Sequence, residues 1–427
     1  MKYRFKAMDI SKIAILGIFL NYYCFYFITG YRIPNVTMVL LVFAVIGVLV
    51  SAYKEPIKFS TDIKCWIGYF LFSVATIPIA YSQKYAIDGL EKYFQRLLLI
   101  ICIAYICEKE KSIKYGIRLL AITSVSCTVS TLLTMNSIDQ KLSLSSGANI
   151  STNDVGSIMA FGCFAVLFAF GVGENSRLHK TIIKIAYIIA ALVVISVAGS
   201  RKSIIAIIIL FALMFVFSGR DHFKRMTKGQ FLAILFVIAL AFLFVYFFLL
   251  PSFEDTNLFV RTAGRRAEST AESDEGRINL YLSALSMFWD NFFFGTGFNN
   301  FIYIQGIYSH STYAEPLACS GIFGTLLYLG PYIHILINQI KLSFSKKLNP
   351  DDDNRIFQKE MFAFYITFLF VGIGIPYLYK DIPCIILAMF VAWQKISFGK
   401  AKEDGYEIIT GEEKNGRITD KSLAGNV

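Results

Sequence analysis

The stretch TIIKIAYIIAALVVISVAGSRKSIIAIIILFALMFVFSG, residues 181–219, decides the architecture. It holds two apolar runs, 182–199 and 203–218, joined by a short connection that carries Arg201 and Lys202. A helix needs about 20 mostly apolar residues to cross a hydrocarbon core. No water is present there to bond the backbone, so such runs are read as helices and not as strands. Outward from this pair lie ten more runs, near 11–29, 36–53, 65–82, 93–107, 115–135, 153–173, 230–250, 315–340, 360–377 and 382–397.

The whole chain has 427 residues, of which 56% are hydrophobic and 17% charged. A soluble protein carries about a quarter charged residues. The expected fold is therefore an all-α polytopic membrane protein with about 12 transmembrane helices and one large outer loop between spans 9 and 10. The first run is not read as a signal peptide, because no small-residue cleavage site follows it and further spans do.

Lys and Arg in short loops set the orientation. With the N-terminus inside, the inner segments hold Lys2, Arg4 and Lys6; Lys54, Lys58 and Lys64; Lys109, Lys111 and Lys114; Arg220, Lys224, Arg225 and Lys228; and Lys341, Lys346, Lys347 and Arg355. Outer loops hold fewer, among them Arg32, Lys84, Lys92, Lys141 and Lys380. Both termini are expected in the cytoplasm. The net charge of +11 is then mostly a topology signal. Nucleic acid is not an expected partner, since that would need a basic face on a soluble domain.

Residues 1–397 read as a single transmembrane helical domain, and 398–427 as a polar cytoplasmic tail without regular structure. Within the outer loop, 251–314, residues 254–275 are polar and charged. An amphipathic helix is expected near 276–291, where Ile278, Leu282, Leu285 and Trp289 recur at helical spacing and Tyr281 and Phe288 widen the stripe. It would lie on the bundle or in the interface, with Trp289 at headgroup level. Gly295 and Gly297 end it, and the chain enters the next span near Pro316. The eight cysteines show no CxxC pair and read as small buried hydrophobes. Four scattered histidines make no metal site, and no cofactor is expected.

Three features of this outer side could carry chemistry. The first is GSRKS, 199–203, where Arg201 and Lys202 defy the positive-inside bias and could bind an anion; they could equally be charges that snorkel from helix ends. The second is the group Arg261, Arg265, Arg266 and Arg277. The first three read better as a solvated charge run, whereas Arg277, at the start of the amphipathic helix, suits a fork-like grip on phosphate. The third is His310, in GTGFNNFIYIQGIYSHSTY (295–313), either a hydrogen-bonded loop histidine or a general base near neutral pH. Glu315 could orient it or be an interfacial acid, and Tyr303, Tyr308, Tyr313, Tyr377 and Tyr379 are near in topology. No Ser-His-Asp spacing, P-loop or GxSxG elbow occurs. Cations at a lipid boundary suit a lipid-linked phosphate or diphosphate, and aromatic faces suit sugar rings.

An outer Gly276–Arg277 followed by an amphipathic helix, then GTGFNNF, then HSTYAEPLACSGIFGTLLYL, resembles the O-antigen ligase/O-antigen polymerase superfamily of bacterial envelope proteins. GSRKS at 199–203 is similar to the GSR that ends a span in that family. The resemblance covers 199–328. It implies a metal-independent, inverting glycosyltransferase with an undecaprenyl-diphosphate-linked oligosaccharide as donor. Arg201 and Arg277 would hold the diphosphate and His310 would activate or position the acceptor hydroxyl. Lys202, Arg265, Arg266, Tyr281, Tyr313 and Glu315 would line the substrate site. Tyr281 stands where the family often has tryptophan, and Ser311 where it usually has asparagine.

Within that superfamily the expectation is an O-antigen or capsular/exopolysaccharide polymerase; the alternative is an O-antigen ligase acting on lipid A core or protein. A chain-length regulator and a flippase would be its partners, besides membrane lipid. A glycolipid transporter is the further alternative, disfavoured because the spans look almost free of acids.

Overall fold

A computed structural model of the protein describes residues 6–29, 33, 35–53, 56–134, 152–169, 177–198, 200–219, 267–345 and 352–403. Among them the chain is helical, with no strand. In order the helices are α1 (Ala7–Leu20, prolonged by a π-helical turn, Asn21–Tyr26, and Phe27–Thr29), α2 (Val36–Ala52), α3 (Thr61–Ala75), α4 (Gln83–Lys109), α5 (Lys114–Thr134), α6 (Thr152–Ala169) and α7 (Arg177–Ala198). They continue with α8 (Arg201–Met214, ending in a π-helical turn, Phe215–Gly219), α9 (Ala267–Asp290), α10 (Asn300–Gln305), α11 (Ala314–Phe344), α12 (Asp352–Gly372) and α13 (Ile382–Glu403).

Five of the described helices are long and apolar enough to cross a membrane: Ala7–Tyr26, Lys114–Thr134, Arg201–Gly219, Ala314–Phe344 and Ile382–Lys400. Val36–Ala52, Asn153–Ala169 and Ile182–Ser196 are shorter apolar helices. The run read at 230–250, the basic cluster Arg220, Lys224, Arg225 and Lys228 before it, the stretch 251–266 with Arg261, Arg265 and Arg266, and the tail from 404 lie outside the described residues.

Local chemistry accounts for the helix ends. Ser60 caps α3, its hydroxyl accepting the Ile63 N–H at 3.3 Å, and Asp62 follows in the first turn, where the helix dipole favours an acid. α3 stops at a short 3-10 turn that contains Pro78, which cannot continue the backbone ladder. Large apolar side chains such as Val42, Leu49, Leu71 and Ile208 stay exposed on the rim, as a lipid-facing surface requires.

Lipid gives helices no hydrophobic reason to associate, so the interior is held by close packing and polar contacts. The Ser11 hydroxyl bonds the Ala44 carbonyl at 2.7 Å and joins α1 to α2. Trp66 of α3 donates its indole N–H to the Tyr328 carbonyl of α11 at 3.1 Å. Asp62, buried at the start of α3, meets His334 of α11 at 2.6 Å and also takes a bond from Gln394 of α13.

One expectation is corrected. The amphipathic helix does not begin at Gly276: α9 runs from Ala267, so Arg277 sits well inside it. The preceding AESTAESDE contains the strong helix formers Ala and Glu, and Glu268 falls in the first turn, where the dipole favours an acid. The stripe Ile278, Leu282, Leu285 and Trp289 is exposed, and α9 packs through its other face, with Ala284, Leu280 and Met287 against Phe301, Ala318 and Cys319. The helix therefore lies on the bundle with an apolar face turned outward, as an interfacial helix does.

Candidate active site

The site is organised by a break in α11. Gly321 has φ 57° and ψ −161°, so the helical ladder is interrupted there. The interruption exposes backbone groups that need partners away from water. The segment after α9 supplies them. Thr296 N–H donates to the Ala318 carbonyl at 3.0 Å, Gly297 N–H to the Cys319 carbonyl at 3.0 Å, and Ile322 N–H to the Phe292 carbonyl at 2.8 Å. Gly295 is required here: its φ is +71°, and a Cβ would lie 2.3 Å from the Cys319 carbonyl carbon. The glycines of GTG are thus explained by backbone meeting backbone.

Beyond α10 the chain reaches Tyr308–Tyr313. His310 adopts φ 58°, rare for a non-glycine residue and a mark of local strain held by its surroundings. The residues around it are pinned on both sides. Ser309 N–H donates to Glu315 at 2.7 Å, and the other oxygen of that carboxylate accepts from the Tyr379 hydroxyl at 3.0 Å. Thr312 N–H donates to the Gly372 carbonyl at 2.9 Å; the Thr312 hydroxyl donates to the Ile375 carbonyl and accepts from Tyr377 N–H.

The turn at 372–375 is the common anchor. Tyr281 of α9 donates its hydroxyl to the Ile373 carbonyl at 2.8 Å, which fixes the helix that carries Arg277 one turn away. Lys202 reaches it from α8: a Cβ on Gly374 would fall 1.2 Å from the Lys202 ammonium. Gly374 therefore makes the room that the ammonium occupies. Arg201 begins the same helix, half-buried, after the buried Ser200, whose hydroxyl pairs with that of Ser203 at 2.7 Å.

Electrostatics follow from this gathering. His310 is half-buried, with its ring 4.4 Å from that of Tyr308. Burial, and then the charges of Arg277, Lys202 and Lys380, push its pKa down to about 4. The imidazole is therefore neutral at physiological pH and able to accept a proton. Burial raises the Tyr308 hydroxyl above its ordinary value, with Lys380 opposing. Lys380 lies 5.8 Å from the Tyr308 ring centre and pairs with Asp154 at 2.5 Å.

Of the residues singled out in the sequence, Arg277, Lys202 and His310 come together. Glu315 and Tyr313 are engaged with neighbouring groups of the chain. Glu315 is fully buried with both oxygens engaged, so it holds the backbone beside His310 rather than the imidazole, and the Tyr313 hydroxyl is taken by the Leu369 carbonyl at 2.6 Å. Arg265 and Arg266 lie outside the described residues.

Sequence reasoning missed Lys380, Asp154 and the Gly372–Ile375 turn as site components; the signal was the polar YLYKD that follows GIGIP at the end of the eleventh run. It also missed Arg96, inside an apolar run, which donates to Asp381 at 3.0 Å and to the Leu378 and Tyr379 carbonyls at 3.3 and 2.9 Å. A charge within a run of that kind is itself a sign of function or of a paired partner.

The fold and the site together define a helical membrane protein in which the loop beside a broken helix brings one half-buried histidine near three cations. Comparison with known families makes this more particular. Residues 185–329 match the family model described as O-antigen ligase, and Arg201, Lys202, Arg277 and His310 all fall within that segment. The matched segment spans about a third of the chain and includes 199–328, the stretch whose motifs resemble the O-antigen ligase/O-antigen polymerase superfamily. No curated protein sequence matches the chain.

Proposed function

We propose that the protein is a polysaccharide polymerase of the O-antigen or capsular/exopolysaccharide type. It would join undecaprenyl-diphosphate-linked repeat units on the outer face of the inner membrane, with both termini in the cytoplasm. The observation that carries this reading is the convergence of Arg277, Lys202 and Lys380 on a neutral His310.

The roles follow from charge. Arg277 and Arg201, with Lys202, hold the donor diphosphate. The acceptor hydroxyl oxygen attacks the anomeric carbon, its proton passes to His310, and the bond from that carbon to the diphosphate oxygen breaks with the electron pair leaving on the diphosphate. Preset cations stabilise the charge that grows on the leaving group. The same diphosphate offsets the cations around His310, so donor binding raises the basicity of the imidazole when it is needed. The acceptor attacks from the face opposite the departing diphosphate, so a single displacement inverts the anomeric centre.

The family description favours a second reading, a ligase that moves the finished glycan to lipid A core or to protein. Deleting the gene separates the two. Loss of the polymer ladder with single repeat units retained on a gel supports the polymerase; accumulation of full-length lipid-linked polymer supports the ligase. Arg277→Ala should abolish product with membrane levels unchanged, and full activity in this variant would sink the site assignment.

A further inference from the structure

A second chamber adjoins the site. It has a volume of about 650 Å³ and is bounded by α1, α2, α4, α6 and the Tyr377–Pro383 segment. Its size falls in the range of about 300–1,000 Å³ usual for ligand pockets. It shares a wall with His310: Tyr308 and Lys380 both line the chamber, and the Tyr308 ring packs against the imidazole. Arg201, Lys202, Arg277 and His310 are not in its lining.

The charge of this chamber differs in kind from that around His310. Two of its four cations are paired with carboxylates, Arg96 with Asp381 at 3.0 Å and Lys380, which the two sites share, with Asp154 at 2.5 Å. Along one face of α4, Lys84, Asp88 and Lys92 stand at successive turns and open onto the chamber. Among the described residues none of these three is bonded to another side chain. Tyrosines, including Tyr85 and Tyr379, fill the spaces between the charges.

A diphosphate calls for cations in excess, and a polyprenyl tail for a wall free of charge. Alternating carboxylates, ammonium groups and tyrosine faces suit neither. They suit a polyhydroxylated ring, in which every hydroxyl both donates and accepts and the C–H face lies on an aromatic surface. We propose that this chamber is the binding site for the acceptor glycan, an oligosaccharide of a few sugar rings whose terminal hydroxyl passes Tyr308 to reach His310. The proposal rests on the glycosyl-transfer reading and adds to it a place for the second substrate, separate from the diphosphate site.

The test uses full-length protein in nanodiscs and, as probe, the free oligosaccharide released by mild acid from the lipid-linked repeat unit of the deletion strain. Binding is followed by saturation-transfer NMR and calorimetry. Asp88 and Lys92 are exposed and unbonded to described side chains, so Asp88→Asn with Lys92→Gln leaves the fold in place. That double variant should weaken oligosaccharide binding at least tenfold, and raise the acceptor KM by a similar factor with kcat little changed.

Arg277→Ala and saturating inorganic diphosphate should each leave oligosaccharide binding within twofold. Unchanged binding and KM in the double variant, with transfer intact in the wild type, would overturn the chamber and spare the enzyme reading. Displacement of the oligosaccharide by inorganic diphosphate would overturn the separation of the two sites, and displacement by a polyprenyl monophosphate would make the chamber a lipid site instead. If the wild type binds the oligosaccharide but transfers nothing, the glycosyl-transfer reading fails, and the chamber loses its role as an acceptor site.

Discussion

Two histidines of this protein lie on or beside the same helix, α11, and could hardly be more differently placed. His334 is clamped. Its Nδ1 meets the buried Asp62 at 2.6 Å, and its Nε2 meets the Asn338 amide at 3.1 Å. Asn338 in turn donates to Gln394 at 2.9 Å, and Gln394 to Asp62, so the network closes on itself. His310 has a tyrosine ring for a neighbour and cations for its field, on a backbone twisted into the left-handed region. An imidazole saturated by a carboxylate and an amide serves to join helices. An imidazole kept neutral by burial, and then by neighbouring positive charge, retains a lone pair for a substrate.

The sharpest way to break this comparison is to truncate both residues. His310→Ala should lower transfer by about 10²–10⁴-fold, the range of a general base, with the thermal unfolding of the purified protein unchanged. His334→Ala should do the reverse. The folded fraction should keep its turnover, while the midpoint falls in line with a loss of about 1–3 kcal/mol from leaving a buried carboxylate short of a partner. A loss of turnover without loss of stability in His334→Ala would put the Asp62 network in the reaction.

The pH profile sharpens the contrast next. The base form of His310 exists above its pKa, so activity is lost as pH falls through that value and not above it. Because that value is held down to about 4, kcat/KM should stay level from neutral pH to about 5 and decline only below. Removing a neighbouring positive charge, as in Lys202→Met, should move this acid limb upward. A limb near the ordinary histidine value in the wild-type protein would mean that the cations do not act on the imidazole.

The smallest effect concerns the support. Tyr281→Phe removes one hydrogen bond, to the Ile373 carbonyl, and should cost about 1 kcal/mol, read as a several-fold fall in kcat/KM with Arg277 less firmly placed.

Much of the fold was legible because lipid imposes simple rules. Apolar runs of a given length must be helices, and eleven of the twelve runs read in the sequence overlap described helices. The exposed stripe of α9 was legible as a periodicity, although not which way it would face: Ala284 and Met287, small and flexible, let that side pack closely on α11 while the larger residues turn away. Arg277, Lys202 and His310 could be picked out because polar residues were unexpected where they stood.

The sequence by itself determined that this is a helical membrane protein, and that GTG, the arginines and one histidine form its unusual part. Only the tertiary structure decided what they do for one another. GTG fits because α11 breaks at Gly321 and its exposed carbonyls need N–H partners. Glu315 is a buried anchor, because packing brings the Ser309 N–H and the Tyr379 hydroxyl to its two oxygens. Lys380 and Asp154, 226 positions apart, joined the site because helix packing brings together charges whose separation along the chain carries no signal.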